Sequence, residues 1–269
     1  MIDIKKFTAY LRKTNKSGNT ISSYLFAVKQ FAKLYGEVNK RNLRLYKTYL
    51  IENFKPKTVN MRLLALNSYS MCIGRTDLKS KLVRIQQKPF LENVISNEDY
   101  AYFKRKLNNE AERYWYFVIR FLAATGARIS ELLQIKVEHV TAGFIDIYSK
   151  GGKMRRIYIP SKLSCEAKQW LTTRGQSSGF IFTNRKGTRI TARGIAAQLK
   201  RLAAKYNLNT AVVYPHSFRH RFAKNFLERF NDISLLADLM GHESIETTRI
   251  YLRRTSTEQQ TIVDRVVTW

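Results

Sequence analysis

The segment Gly241-His-Glu-Ser-Ile-Glu-Thr-Thr-Arg-Ile-Tyr251 places a histidine and a tyrosine nine residues apart around a helix boundary. Gly241 is expected to end one helix, because glycine readily adopts the left-handed backbone that follows a helix. Ser244 is expected to cap the next helix, because its hydroxyl can accept hydrogen bonds from free backbone N–H groups. The spacing of apolar residues on either side predicts helices at about 233–240 and 246–254.

Two further stretches carry groups that suit the same chemistry: Thr125-Gly-Ala-Arg128-Ile-Ser-Glu-Leu132 and His216-Ser-Phe-Arg219-His220. Two guanidinium groups can clamp the non-bridging oxygens of one phosphate. Histidines can move protons near neutral pH, and a tyrosine hydroxyl can attack phosphorus and hold a strand covalently. On a chain of formal net charge +28, this set indicates chemistry on phosphodiesters.

The composition indicates a folded and strongly basic protein. A chain of 269 residues with 44% hydrophobic residues is long enough for two packed domains. The 48 Lys and Arg against 20 Asp and Glu predict a polyanionic partner. No apolar run approaches ~20 residues, and Met1 to Lys6 lack the apolar core of a signal peptide, so we expect a cytoplasmic protein without membrane association. Cys72 and Cys165 match no metal spacing and are expected to be buried or neutral thiols in a reducing cytoplasm.

Residues 1–82 are predicted to form an all-helical domain. Apolar residues recur with the helical period in four stretches, and the second stretch has a cap at Asn19-Thr20 and a stop at Gly36. Residues 1–88 carry 19 Lys and Arg but only four Asp and Glu, so this part is expected to contact a phosphate backbone. The candidate DNA contacts are Lys57, Arg62, Arg84 and Lys88, together with Lys153 further along the chain.

Three further segments follow the helical domain. Residues 83–95 lack a helical period and are interpreted as a linker, and Ser96 is expected to cap the first helix of a second domain at 96–257. The tail at 258–269 carries an apolar stripe at helical spacing, formed by Ile262, Val263, Val266 and Val267, with Trp269 after it. Because a short helix must bury such a stripe, we expect the tail to dock on a neighbouring protomer or, alternatively, on its own domain.

The second domain is predicted to contain a small β-sheet among helices. Strand-like runs at 144–148 and 154–159 flank the turn Ser149-Lys-Gly-Gly-Lys153, which indicates a hairpin with a lysine at its mouth. The run 180–183 is expected to add a third strand. Elsewhere the apolar period is helical, so the predicted fold class is mainly α with a small β-sheet.

Taken in chain order, these motifs resemble the tyrosine recombinase (phage integrase) family. The resemblance covers about 96–254, while the first domain matches only in size, helical character and charge. It implies a helical N-terminal core-DNA-binding domain followed by an α+β tyrosine-recombinase catalytic domain. Carried over motif by motif, it implies six catalytic residues, which are Arg128, Lys150, His216, Arg219, His242 and Tyr251.

The resemblance implies a nucleophile and a phosphate clamp. Tyr251 would attack phosphorus in line and become a 3′-phosphotyrosyl link, while Arg128 and Arg219 would neutralise charge on the phosphorane-like transition state. Because the link conserves phosphodiester energy and cationic side chains meet the charge, no cofactor and no metal are expected.

The same resemblance implies the proton transfers. Lys150 would protonate the departing 5′-oxygen, with Lys153 as the alternative acid, and His216 would take the tyrosine proton. His242 would hydrogen-bond a non-bridging oxygen. Glu131, one helical turn after the first arginine, is expected to hold a catalytic side chain by a hydrogen bond.

Two structural expectations concern the histidine and tyrosine helices. His216 and His220 are spaced like zinc ligands, but no glutamate lies between them and no cysteine cluster accompanies them, so His220 is expected to orient a neighbour or to pack. In the helix at 246–254, Ile245 and Ile250 are expected to serve the core, which leaves Tyr251 on a different face.

The resemblance implies a site-specific recombinase that acts on double-stranded DNA as a homotetramer on two sites, through a Holliday junction. It also implies a nucleoid-associated protein of prokaryotic, phage or mobile-element origin, and leaves open a need for accessory DNA-bending or directionality proteins. Three alternatives remain: a type IB topoisomerase, which rejoins the same strand; a catalytically silent DNA-binding regulator, which should have lost a reacting group; and an RNA-binding protein, which should carry an aromatic RNA-binding strand.

Overall fold

The structure, a computed structural model, describes residues 2–85, 93–148, 154–242, 244–252 and 256–267. The chain divides into two compact units, Met1–Gln87 and Lys88–Trp269. Helices dominate both units, and the described part contains one sheet of two strands. This architecture confirms the predicted fold class, mainly α with a small β-sheet. Within the described residues, no helix combines the length and the apolarity that a membrane crossing requires.

The first unit is built from four helices and a short 3₁₀ turn at Thr76–Leu78. The fourth helix packs against the other three, and its buried residues therefore lie on several sides. The second helix begins one residue after Ser17, whose hydroxyl accepts from the Thr20 backbone N–H at 3.3 Å. The predicted cap at Asn19-Thr20 is therefore two residues late. The helices are α1 (Ile4–Lys13), α2 (Gly18–Tyr35), α3 (Lys40–Asn53) and α4 (Pro56–Cys72).

Arg62, a predicted DNA contact, lies in the core of the first unit. Its residue is 7% exposed, and its guanidinium carbon lies 3.9 Å from the ring centre of Phe54 and 5.7 Å from that of Phe26. This burial disfavours a contact between the Arg62 guanidinium and a DNA phosphate, and the contact stays a prediction. Lys57 and Arg84 are exposed. The remaining two candidate contacts, Lys88 and Lys153, lie outside the described residues.

The second unit is organised around one buried helix. This helix, α6, is apolar nearly all round and packs against the helices α5, α9 and α11. Ser96 caps α5 by accepting from the Asp99 backbone N–H at 3.0 Å, which confirms the predicted start of this unit's first helix. The helices are α5 (Asn97–Leu107), α6 (Arg113–Thr125), α7 (Ile129–Leu132), α8 (Val137–Ala142), α9 (Ser161–Thr173), α10 (Ala192–Lys205), α11 (Pro215–Arg229), α12 (Ile233–Met240), α13 (Ile245–Arg249) and α14 (Ser256–Val266), with a 3₁₀ turn at Ile250–Leu252.

The sheet is an antiparallel hairpin of β1 (Phe144–Tyr148) and β2 (Met154–Tyr158), in the predicted places. The predicted third strand at 180–183 is wrong. Phe180 and Thr183 form only isolated bridges, to Lys136 and Arg189 respectively. Each end of this run pairs with a different segment, so no continuous ladder forms, and its buried apolar residues instead fill the core as part of a loop.

Candidate active site

Arg128 and Glu131 lie together at the turn that follows α6. The turn passes through Gly126 at φ +61°, where a Cβ would overlap the ring of Phe222. Arg128 then precedes the single-turn helix α7, its Nη1 donating to Glu131 Oε1 at 2.8 Å and its backbone N–H to Oε2 at 2.6 Å. Nη2 donates to the carbonyl of Gly241 at 3.0 Å. The side chain of Arg128 is still 38% exposed, so it can meet a ligand.

Arg219, on α11, is buried against backbone carbonyls. Its residue is 3% exposed, and its guanidinium donates to the carbonyls of Gly126 at 2.5 Å and Met240 at 2.7 Å. Burial, and then the charge of Arg128, lower the pKa of Arg219 to about 10. The group is therefore still a cation at neutral pH, held in a fixed direction by carbonyl oxygens.

Arg155, on β2, joins the same cluster and was not predicted. Its Nη1 donates to both carboxylate oxygens of Glu131 at 2.9 Å, and its Nε donates to the carbonyl of Leu239 at 2.9 Å. The sequence contained a signal for it: on a strand, residues two apart share a face, so Arg155 lies in phase with the buried Ile157. A charged residue at an inward position of a strand needs a buried partner.

The cluster carries more positive than negative charge. Three guanidinium groups surround one carboxylate, since Arg219 Nη1 also lies 4.0 Å from Glu131 Oε2. Burial lowers the pKa of Arg155 as well as that of Arg219. A cavity of about 810 Å³ opens beside the cluster, and Arg128, Arg155 and His242 contribute to its lining. An excess of cations beside a cavity is suited to holding an anion.

His242, which follows the Gly241 stop, is held by two groups whose roles can be assigned. Burial, and then Arg219, lower its pKa to about 4, so the ring is neutral at pH 7. Arg219 Nη2 lies 3.1 Å from Nε2, and because a guanidinium only donates, Nε2 is the acceptor. The proton is therefore on Nδ1, which lies 2.8 Å from Thr248 Oγ1 and donates to it. In this arrangement Nε2 can donate to a phosphate oxygen only after gaining a proton.

Tyr251 is buried, contrary to the prediction that it would lie away from the core. It is 6% exposed and packs with Ala223, Leu236 and Met240, whereas Ile245, which was expected in the core, is 45% exposed. The predicted helix at 246–254 is in fact α13 followed by a 3₁₀ turn. This 3₁₀ turn packs against α11, and Tyr251 within it is buried there.

The environment of Tyr251 keeps its hydroxyl protonated. Burial raises its pKa, and the charges of Arg219 and then Arg128 oppose this effect. Its ring centre lies 5.4 Å from that of His220 and 6.2 Å from that of His242. The tyrosine is therefore placed between two histidines and beside the arginine cluster.

The two histidines of α11 lie along one side of the site. Burial is the main cause that lowers the pKa of His216, and it lowers that of His220 to about 4. Their ring centres are 6.3 Å apart. Among the described residues, no group of three or more His, Cys, Asp or Glu is arranged to hold a metal ion.

The two lysines of the predicted acid pair cannot be placed. Tyr148 pairs with Met154 in the last rung of the ladder before the connection, and residues 149–153 between them are not described. Lys150 and Lys153 therefore lie outside the described residues. Which of them is the acid stays a prediction.

Known proteins resemble this chain over the whole site. The sequence profile of the phage integrase family matches residues 94–258. Tyrosine recombinase XerA of Pyrococcus furiosus is 29% identical over 269 residues, which covers 97% of this chain and 93% of the relative. The TnP I resolvase of Bacillus thuringiensis is 26% identical, over 92% of this chain and 93% of the relative.

Solved structures share the fold. The Tn1549 transposon integrase in complex with transposon right end DNA aligns over 100% of both chains, with a TM-score of 0.73 at 17% identity. The XerH site-specific recombinase bound to a palindromic difH substrate aligns over 95% of this chain and 81% of that one, with a TM-score of 0.71 at 22% identity. Since the family profile spans more than half of the chain and every residue of the site, this chain belongs to the phage integrase family, the tyrosine recombinases.

Proposed function

We propose that this chain is a site-specific recombinase that cleaves and rejoins double-stranded DNA through a 3′-phosphotyrosyl intermediate. The observation that carries the proposal is the cluster of three guanidinium groups around the buried carboxylate of Glu131, beside Tyr251. A preorganised excess of positive charge, largely shielded from water, stabilises the charge that develops on a pentavalent phosphorus. The relatives that are named recombinases, and the solved relatives bound to DNA, support DNA as the partner.

The chemistry follows from the protonation states. Because burial raises the pKa of Tyr251, its hydroxyl needs a base before it attacks. His216, whose pKa is lowered, is neutral at pH 7 and accepts that proton. Arg128 and Arg219 hold the non-bridging oxygens while the Tyr251 oxygen bonds to phosphorus. The bond to the 5′-oxygen breaks, and Lys150 supplies the proton that this oxygen takes.

Rejoining is the same step in reverse. A 5′-hydroxyl attacks the phosphotyrosyl link, its proton returns to the lysine, and Tyr251 regains a proton from His216. When the attacking hydroxyl belongs to a second duplex, strands are exchanged. No bond energy is lost in the cycle, so ATP is not consumed.

The first unit contributes affinity for the DNA backbone. Its charge excess, with 18 Lys and Arg against four Asp and Glu in residues 1–87, attracts phosphates independently of sequence. Lys57 and Arg84, both exposed, are the described candidates for such contacts. This unit therefore acts as the core-DNA-binding domain.

The tail supports assembly into a tetramer on two sites. On α14, Val263 and Val266 are 51% and 57% exposed, and Val267 after it is 44% exposed. This surface is available to a neighbouring protomer. Deleting 258–269 should leave single-site binding intact and weaken cooperative loading of a second protomer, measured by gel-shift titration. Loss of thermal stability together with all binding would show that the tail packs on its own unit.

The proposal is tested by trapping the covalent complex. The protein is incubated with nicked duplexes of randomised sequence, which release a short strand on cleavage and so trap the adduct. Sequencing the trapped DNA should return one enriched site, and peptide mapping should place the nucleotide on Tyr251. Absence of any adduct would contradict the proposal. Relaxation of a supercoiled plasmid without a preferred site would favour the topoisomerase alternative.

A further inference from the structure

Glu131 is shared unequally between two arginines. Arg155 directs Nη1 to both carboxylate oxygens, each at 2.9 Å, whereas the guanidinium of Arg128 contacts only Oε1, at 2.8 Å. The environments of the two arginines also differ, because the side chain of Arg155 is 7% exposed and that of Arg128 is 38% exposed. The buried arginine is therefore the main counter-charge of the carboxylate.

This division matters for a phosphate. A carboxylate with no other counter-charge would hold the guanidinium of Arg128 strongly, because charges interact strongly where water is excluded. Arg155 already neutralises most of the negative charge of Glu131, so the carboxylate attracts Arg128 less strongly. We propose that Arg155 is a positioning residue that neutralises Glu131 and thereby leaves the charge of Arg128 available to the scissile phosphate. The inference rests on the proposed function, since it concerns the same site.

A second set of contacts fixes the position of Arg155 itself. Its Nε donates to the carbonyl of Leu239 at 2.9 Å, close to the end of α12. Its aliphatic part lies against Gly241, where a Cβ would overlap Arg155 Cδ. The side chain thus joins β2 to the turn that leads to His242. Its guanidinium cannot swing away from Glu131 without losing these contacts.

The neighbouring residue provides a matched control. Arg156 follows on β2 and also borders the cavity, but it pairs with Asp146 on β1 through two contacts of 2.8 Å. Its side chain is 40% exposed. The two arginines therefore share a strand and a charge, but only Arg155 contacts Glu131.

The test is a double-mutant cycle on cleavage by full-length protein. Single-turnover rates are measured at saturating protein on a nicked duplex that carries the enriched site. Arg155→Met should slow cleavage by about 10²-fold, the typical cost of losing one preorganised charge contact at a reacting centre. Adding Glu131→Gln should restore the rate to within about tenfold of wild type, because the uncompensated charge is removed. Arg156→Met removes a cation from the same strand, and Glu131→Gln should not rescue any loss of rate that it causes, because Arg156 pairs with Asp146 and not with Glu131.

The outcomes separate positioning from a general structural role. If Glu131→Gln does not rescue Arg155→Met, and the two losses simply add, the proposal is overturned. Arg155→Lys keeps a positive charge beside Glu131 and should be at least about tenfold faster than Arg155→Met. Should Arg155→Met not fold, as judged by thermal melting, the lysine variant carries the test: a folded Arg155→Lys that is about 10²-fold slower than wild type, and that Glu131→Gln does not rescue, overturns the proposal. Failure of the wild type to form an adduct overturns the proposed function instead.

Discussion

The two units of this protein bury arginine in different ways. In the first unit, Arg62 lies between aromatic rings, and its Nε and Nη1 atoms are buried without a hydrogen-bond partner among the described residues. In the second unit, Arg155 and Arg219 are held by a carboxylate and by backbone carbonyls at 2.5–2.9 Å. Aromatic faces attract a cation without fixing its direction closely, whereas carbonyl and carboxylate acceptors orient the N–H groups that they contact. Arg155 Nη2 is nevertheless also buried without a hydrogen-bond partner among the described residues.

This difference indicates what each cation is for. A guanidinium on ring faces fills volume in a helical core, and its loss should change stability. A guanidinium that is oriented by acceptors beside a cavity is prepared for a ligand, and its loss should change chemistry. The following predictions test this division, beginning with the largest effect.

The largest effect is expected at Tyr251, which lies beside the oriented arginines, and it should be an effect on chemistry and not on stability. Tyr251→Phe should remove covalent adduct formation to below detection, because no other oxygen occupies that position. The ring remains, so the melting temperature and DNA affinity should stay close to wild type. Adduct formation is read by denaturing gel on the nicked substrate, and an adduct in this variant would remove Tyr251 from the role.

The hairpin lysine should show the next largest effect. Lys150→Ala should slow cleavage by roughly 10²–10⁴-fold if it supplies the full proton transfer. A 5′-thio leaving group needs no acid, so it should restore the rate of this variant. Lys153→Ala is the matched control on the same turn. Rescue of Lys153→Ala rather than Lys150→Ala would reassign the acid.

Acid should destabilise the second unit and spare the first, because all four histidines lie after residue 88. The pKa values of His220 and His242 are lowered to about 4 in the folded protein, against about 6.5 in an unfolded chain. The folded state therefore binds fewer protons between pH 6.5 and pH 4, so stability is full above this window and falls as pH decreases through it. Each histidine contributes a slope of at most about 1.4 kcal/mol per pH unit.

The check is thermal unfolding of the full chain across pH 7 to 4.5, with hydrogen exchange to assign the loss to a unit. His220→Gln should flatten the pH dependence, because it removes one of the two groups. An unchanged slope in this variant, or equal acid loss in residues 2–85, would contradict the prediction.

The smallest effect separates a buried arginine from an exposed lysine on the same helix. Lys57→Met should reduce the slope of log affinity against log salt by about 0.9, the value for one phosphate contact. Arg62→Met should leave that slope unchanged, since its guanidinium is enclosed by Phe54 and Phe26. Fluorescence anisotropy over a salt series measures both. A reduced slope for Arg62→Met would show instead that Arg62 contacts a DNA phosphate.

Much of the fold followed from local patterns. Caps such as Ser96 and stops such as Gly36 and Gly241 act over a few residues, and their structure agrees with the prediction. Helix α9 was missed although Leu163, Ala167, Trp170 and Leu171 are buried at helical spacing. The third strand failed for the opposite reason, because the partner of a strand is decided by distant segments that a local pattern does not contain.

The site was less accessible to such reasoning. Motifs indicated which residues belong together, and the structure does bring Arg128, Arg219, His242 and Tyr251 into one region. The burial of Tyr251 depends on the packing of its 3₁₀ turn against α11, a contact between distant segments that apolar spacing alone does not reveal. Arg155 was overlooked because surface arginines are common, and only its phase on β2 distinguishes it from Arg156.

Gly241 has a consequence for anyone who wishes to redesign this recombinase. Its carbonyl accepts a hydrogen bond from Arg128, and the absence of a side chain leaves room for Arg155. One small residue therefore accommodates two arginines that differ in solvent exposure. Its φ of +59° is also one that other residues rarely adopt. A library that diversifies position 241 should therefore contain mainly proteins that bind DNA without cleaving it.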